Sequence, residues 1–235
     1  MWVSFAAALN YTVWTMNANS GNGGKQGLTA VALRLDGALD QQGFPVANSW
    51  NRTPAILFDR DWKGENPTPT RATEVRLLWT LETLFLRFVA KYQSLHVYAD
   101  SRNDGWRDEL WNRDVAEVFL QPAGSDALSY KEIEVAPNGF WIDLDIYHGA
   151  KEELRSGLIR RIAMNKEIKT WTAELAIPIR ALNSDFDAAR EWRVNFYRVE
   201  GEAEPRYYSA WSPTYTDEPN FHVPSAFGRL IFQAT

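Results

Sequence analysis

The sequence predicts an all-β protein, a two-sheet β-sandwich of the jelly-roll or immunoglobulin-like kind with long loops. Ten short segments rich in β-branched and aromatic residues recur between turn signals, several alternate apolar and polar residues with period two, and helical periodicity is scarce. The segments run Glu74–Trp79, Leu84–Val89, Val115–Leu120, Tyr130–Val135, Phe140–Ile146, Leu158–Asn165, Trp171–Ile177, Trp192–Val199, Arg206–Trp211 and Arg229–Phe232. In the second of these, Leu84, Leu86 and Phe88 fall on one face and Phe85, Arg87 and Val89 on the other, as in a strand over a core. Pro137-Asn138-Gly139 marks a hairpin, because Asn-Gly accepts the positive φ of a tight turn and strand-like residues flank it. Helix candidates are short, Arg180–Leu182 after Pro178 and Asp185–Arg190. The long loops Trp62–Thr73 and Tyr98–Asp114 are where a β scaffold usually carries binding residues.

Domain organisation is simple. Residues 1–30, with the Gly-, Asn- and Ser-rich stretch Asn17–Gln26, read as a peripheral segment, and residues 31–235 as one β-sandwich domain. Apolar residues make up 45% of the chain and charged ones 23%, which supports a real core and argues against disorder. A net charge of −5 without a Lys/Arg run disfavours nucleic acid and anionic membranes as partners. No stretch approaches the roughly twenty apolar residues of a membrane-spanning helix. Met1–Leu9 is apolar but has no basic residue ahead of it, so it makes a poor signal peptide. Zero cysteines remove disulfides, thiolate metal sites and thiol catalysis. The unusual count is eleven tryptophans, which serve cores and surfaces that grip flat ligands alike.

Motifs for phosphate cradles and for a nucleophile elbow are absent. His96, His148 and His222 have no metal-binding spacing. Two pairs of acids, Glu132 with Glu134 and Asp143 with Asp145, each share a strand face at about 7 Å spacing, which falls in the range of an inverting glycosidase. Alternating acids are also the pattern of a solvated sheet face, and a glycosidase pair must flank a bond, so non-catalytic use is the expectation. The loop Asp100-Ser-Arg-Asn-Asp104-Gly105 offers Asp100 and Asp104 to a structural calcium, although Arg102 stands at an EF-hand ligand position and Trp111 at that of the closing Glu. No other cofactor is called for.

A family resemblance emerges from the order of several motifs. Leu35-Asp36-Gly37-Ala38-Leu39-Asp40, Leu77-Leu78-Trp79, Leu84-Phe85-Leu86 and the run Trp111 to Leu120 come first. Trp171-Thr-Ala-Glu174-Leu-Ala-Ile177-Pro178 and the closing Ala226-Phe227-Gly228-Arg229-Leu230 follow. Together, over residues 33–232, they resemble the family 9 carbohydrate-binding modules, which belong among DOMON-like sandwiches. Trp192–Arg198, Trp211–Thr214 and Asn220–Pro224 look like a stand-alone bacterial subgroup.

The resemblance implies a β-sandwich, an extracellular or periplasmic location, and binding of a plant-type polysaccharide or oligosaccharide at its chain end in support of carbohydrate catabolism. It also implies a slot in which two tryptophans clamp a terminal sugar. The matching positions are Trp111 and Trp211, with Glu117 as polar partner for sugar hydroxyls, whereas Trp171 and Trp192 open strand-like runs and belong to packing. A pyranose has apolar C–H faces and a hydroxyl rim, so indole faces with a few fixed polar groups suit it. The alternatives are a haem-binding electron-transfer domain, with His222 or Met164 as ligands, an interaction domain without a small ligand, and a glycoside hydrolase using the paired carboxylates.

Overall fold

The structure is a computed structural model and describes residues 27–234. Thirteen strands follow in chain order: β1 (Thr29–Arg34), β2 (Ile56–Phe58), β3 (Thr73–Trp79), β4 (Thr83–Lys91), β5 (Val115–Gln121), β6 (Ser129–Val135), β7 (Trp141–Tyr147), β8 (Ala150–Glu153), β9 (Ile159–Asn165), β10 (Thr170–Pro178), β11 (Trp192–Glu200), β12 (Tyr207–Ala210) and β13 (Gly228–Gln233). Two one-turn helices, α1 (Ala47–Trp50) and α2 (Ile179–Leu182), complete them, with 3₁₀ turns at Pro69–Arg71, Leu110–Asn112 and Pro224–Ala226. All ten expected segments are strands. Asp185–Arg190 is not helical. The sequence Asn17–Gln26 lies outside the described residues, and the expected boundary at residue 31 falls inside β1, whose Ala30 is fully buried.

Hydrogen bonding links the strands into one curled sheet in the order β8-β7-β6-β5-β11-β13-β1-β3-β4-β10-β9, with β12 added on β11 and β2 on β3. Curling brings its two halves face to face as a sandwich. Phe88 on β4 meets Phe196 on β11 at 6.3 Å, and the Arg198 guanidinium on β11 lies over Trp171 on β10 at 5.3 Å. Leu84, Leu86 and Phe88 turn into this core, as the alternation predicts, while Phe85 faces outward beneath Phe44 and Trp50. Trp171 and Trp192 are buried packing residues. Asn138-Gly139 forms the β6–β7 hairpin, where Gly139 takes a φ of +87° and Ala136 N–H donates to the Phe140 carbonyl at 2.8 Å.

What matters for the site is the other face of the β5–β8 half. Register fixes it. Tyr197 opposes Glu117, Glu117 opposes Glu134, and Phe119 opposes Glu132. Across the next two strands Glu132 opposes Leu144, and Ile146 opposes Lys151. Paired residues share a face, so Tyr197, Glu117, Phe119, Glu132, Glu134 and Lys151 all project from one surface of the sheet.

Candidate functional site

Loops roof that surface and leave a cavity of about 230 Å³. Glu117, Phe119, Glu132 and Glu134 line it from the sheet, Lys151 from the edge strand β8, and Trp111 from the 3₁₀ turn 110–112. Arg206, Tyr208 and the segment Pro219–His222 contribute the remaining lining. Each wall is held from below. Leu110 is fully buried and anchors the turn that carries Trp111, whose carbonyl accepts a hydrogen bond from Arg206 Nη1 at 3.0 Å. The same guanidinium donates to the Tyr208 hydroxyl through Nη2 at 2.6 Å, and that hydroxyl donates to Glu204 at 2.6 Å. Phe221 stacks on Tyr197 with centroids 4.2 Å apart, and the Tyr197 hydroxyl donates to the Phe221 carbonyl at 3.0 Å. His222 Nδ1 pairs with the Tyr130 hydroxyl at 2.7 Å.

The floor is acidic and buried. Glu117, Glu132 and Glu134 are each at most 2% exposed. With all three ionised, Glu117 Oε1, Glu132 Oε2 and both oxygens of Glu134 have no hydrogen-bond donor. Lys151 Nζ stands 3.9 Å from Glu132 Oε2 and the His222 ring, through Nδ1, also 3.9 Å, both beyond hydrogen-bond distance. Burial pushes Glu117 and Glu134 well above the ordinary carboxylate range, and repulsion among the three acids adds to it. Glu132 is raised by burial and partly relieved by Lys151. Raised in this way, the cluster keeps its protons to a higher pH than isolated glutamates do. His222 is pushed down to about 4 by partial burial and then by Lys151, so its ring is neutral at pH 7. Lys151 Nζ sits 4.1 Å from the centre of the Trp111 ring, a cation–π contact on the indole face that looks into the cavity.

The structure brings Trp111 and Glu117 together and places Trp211 elsewhere. Ala210 pairs with Tyr197 and so shares the cavity face, and the next residue turns to the opposite one. There Trp211 packs at 5.5 Å on Phe196 and lies so close over Gly228 that an added Cβ would come within 2.8 Å of its ring. The Trp111–Trp211 clamp is therefore corrected: the aromatic groups sharing the cavity with Trp111 are Phe119, Tyr208 and Phe221.

The acid pairs are corrected as well, since Glu132, Glu134 and Asp143 are buried rather than solvated. Asp143 accepts a hydrogen bond from Ser156 N–H at 2.6 Å on the opposite sheet face, where Lys131 pairs with Asp145 at 2.6 Å.

In the 98–114 loop, Asp104 Oδ1 accepts the Trp106 N–H at 2.9 Å, and its carbonyl accepts from Trp141 Nε1 and Arg160 Nη2. Asp100 lies 4.0 Å from Arg107 Nε. Among the described residues, no three His, Asp or Glu side chains gather as a metal site. Met164 lies on the edge strand β9 and lines no part of the cavity that His222 lines.

A β-sandwich carrying a roofed, aromatic-walled and acidic cavity on one sheet face is the form of a small-ligand binding domain. Comparison with known proteins agrees. The profile of carbohydrate-binding family 9 matches residues 60–232, and the chain belongs to that family. An "Extracellular protein" of Arthroderma benhamiae is 26% identical over 200 residues, covering 78% of this chain and 86% of the relative. A crystal structure from Bacteroides uniformis superimposes with a TM-score of 0.70 at 18% identity, over 88% of this chain and 100% of that one. A family 9 carbohydrate-binding module from Caldicellulosiruptor kristjanssonii, in complex with cellotriose, gives a TM-score of 0.64 at 15% identity, covering 88% and 95% of the two chains. A family 9 carbohydrate-binding module from the same organism, in complex with glucose, gives a TM-score of 0.59 at 16% identity, covering 88% and 97%. These likenesses bear on the fold, and the family is one of non-catalytic carbohydrate-binding domains.

Lys151, Arg206, Tyr208 and Phe221 are site residues that the sequence does not single out. One signal was present: three glutamates, Glu117, Glu132 and Glu134, occur in adjacent strand segments otherwise rich in Val, Ile, Phe and Tyr.

Proposed function

We propose that this chain is a non-catalytic, extracellular binding domain for the end of a glucan-type oligosaccharide or polysaccharide, seated in the cavity beside Trp111. The observation that carries the proposal is the pairing of a half-buried indole face with the buried Glu117 carboxylate in one cavity of about 230 Å³. Trp111 offers the apolar face for pyranose C–H groups. Glu117, Glu132 and Glu134 accept hydroxyl hydrogen bonds, and Asn220 supplies a donor at the rim. Cellotriose and glucose in the two Caldicellulosiruptor structures point to the ligand class, and the extracellular relative to the location. The three carboxylates sit side by side on one floor, two of them directly cross-strand, rather than on either side of a bond, which suits binding better than glycoside cleavage.

Titration calorimetry of the full chain with cellotriose, against Trp111→Ala, tests the proposal. Truncating a stacking Trp is expected to cost on the order of 2 kcal/mol of binding with little change in melting temperature. Equal affinity of parent and variant would remove Trp111 from the site.

A further inference from the structure

We propose that this cavity selects a sugar bearing a free amine, a glucosamine-type unit, over the neutral hexose. The inference rests on the reading of the cavity as a sugar site and adds the chemical class of the sugar.

Charge and donor supply carry it. Three carboxylates face the cavity, and the four oxygens that lack a donor are all buried. Cations in reach are fewer than the acids and mostly committed. Arg206 is engaged by the Trp111 carbonyl, Tyr208 and Glu204. Arg198 lies on the opposite face of β11, bonded to the Val115 and Val199 carbonyls and Glu200. His222 is neutral at pH 7 and occupied by Tyr130. The other titratable groups against the cluster, Tyr130, Tyr197 and Tyr208, are phenols raised by burial and bring no charge. Among the described residues this leaves Lys151, 3.9 Å from Glu132 and 3.5 Å from His222 Nε2, as one cation for three carboxylates, so the cluster is short of positive charge. A neutral hydroxyl supplies one donor and no charge, whereas an ammonium supplies three donors and a full charge, and charge-assisted bonds are roughly twice as strong.

An independent observation points the same way. The Trp111 face already carries an ammonium, that of Lys151 at 4.1 Å, placed between the indole and Glu132. This is the environment an amino sugar needs, an aromatic face for its ring with carboxylates beside its cation. Lys151 reaches the spot from the four-residue edge strand β8, and its side chain is 35% exposed, so the protein's own lysine stands in for the ligand amine and competes with it.

Calorimetry on the full chain at pH 7 compares fully deacetylated chitobiose, N,N′-diacetylchitobiose and cellobiose. Deacetylated chitobiose is expected to bind at least about tenfold more tightly than either neutral disaccharide, with proton release seen as a heat that changes with the buffer's ionisation enthalpy. Lys151→Met is expected to widen the ratio of amino-sugar to cellobiose affinity, and Glu134→Gln to reduce it to about threefold or less. Glu152→Gln, on the exposed part of β8, is the control for the protein's general acidity and should leave the ratio in place. Cellobiose binding as tightly as its diamino counterpart overturns the proposal. The glucan site itself then stands if Trp111→Ala abolishes that binding. Binding by none of the three sugars overturns both readings, and competition by calcium chloride at millimolar concentration would show a divalent-cation site instead.

Discussion

Replacing Glu134 by Gln should stabilise the protein, and more so as pH rises. Glu134 is fully buried and lies directly opposite Glu117 in the β5–β6 register. Side chains opposed in this way start about 5 Å apart, and two ionised carboxylates at that distance repel by roughly 3 kcal/mol at an effective dielectric near 20. The folded protein avoids this by keeping protons, at about 1.4 kcal/mol for each unit by which pH exceeds the free carboxyl's value. The sign follows from linkage. Folded-state values of Glu117 and Glu134 are raised above the unfolded ones, so their contribution is fully present below about pH 4 and is lost as pH climbs through the raised values. Gln keeps the shape, needs no proton and can donate to Glu117 or Glu132. A gain of about 2 kcal/mol at pH 8 corresponds to roughly 4–8 °C in a chain of this length, shrinking towards zero at pH 5. Paired thermal melts of parent and Glu134→Gln from pH 5 to 8 measure it. A variant equally destabilised at every pH would refute the account of the acidic floor. The same substitution should weaken sugar binding, since it removes a carboxylate acceptor from the cavity floor.

Trp211→Ala should behave in the opposite way to Trp111→Ala: loss of its packing on Phe196 costs about 3 kcal/mol of stability, while cellotriose affinity by calorimetry stays within about twofold. Unchanged melting with lost binding would restore Trp211 to the sugar site. Incubation with xylan, cellulose and aryl glycosides should give no product, as the three glutamates share one floor, and turnover abolished by Glu132→Gln or Glu134→Gln would contradict that.

Much of the fold is legible because its strands carry their own pattern. The three strands not anticipated have weak ones: β1 places only Ala30 and Ala32 inside, β2 is three residues long, and β8 is the charged run Ala-Lys-Glu-Glu at the sheet edge. At the site, Trp111 and Glu117 stand out through family order, and Trp111 through its polar approach Arg107-Asp108-Glu109. Trp211 misleads because one step of strand parity past Ala210 decides its face, and that parity depends on how β12 pairs with β11. The buried acids escape notice for a similar reason. Alternation assigns Glu132 and Glu134 to a face, but burial of that face comes from the Pro219–His222 segment and the 110–112 turn, both remote in sequence. Arg206 reaches Trp111 across 95 positions, a contact that no local pattern encodes.

The central claim is that a sugar ring sits in the cavity between Trp111 and the glutamate floor. A crystal structure of the full chain with cellotriose tests it most directly. The account predicts a pyranose stacked on the Trp111 indole, with Lys151 moved off that face and a sugar hydroxyl about 3 Å from a Glu117 oxygen. Sugar bound elsewhere, such as the groove beside Pro213 and Arg229, with the Lys151 ammonium still over Trp111, would contradict it.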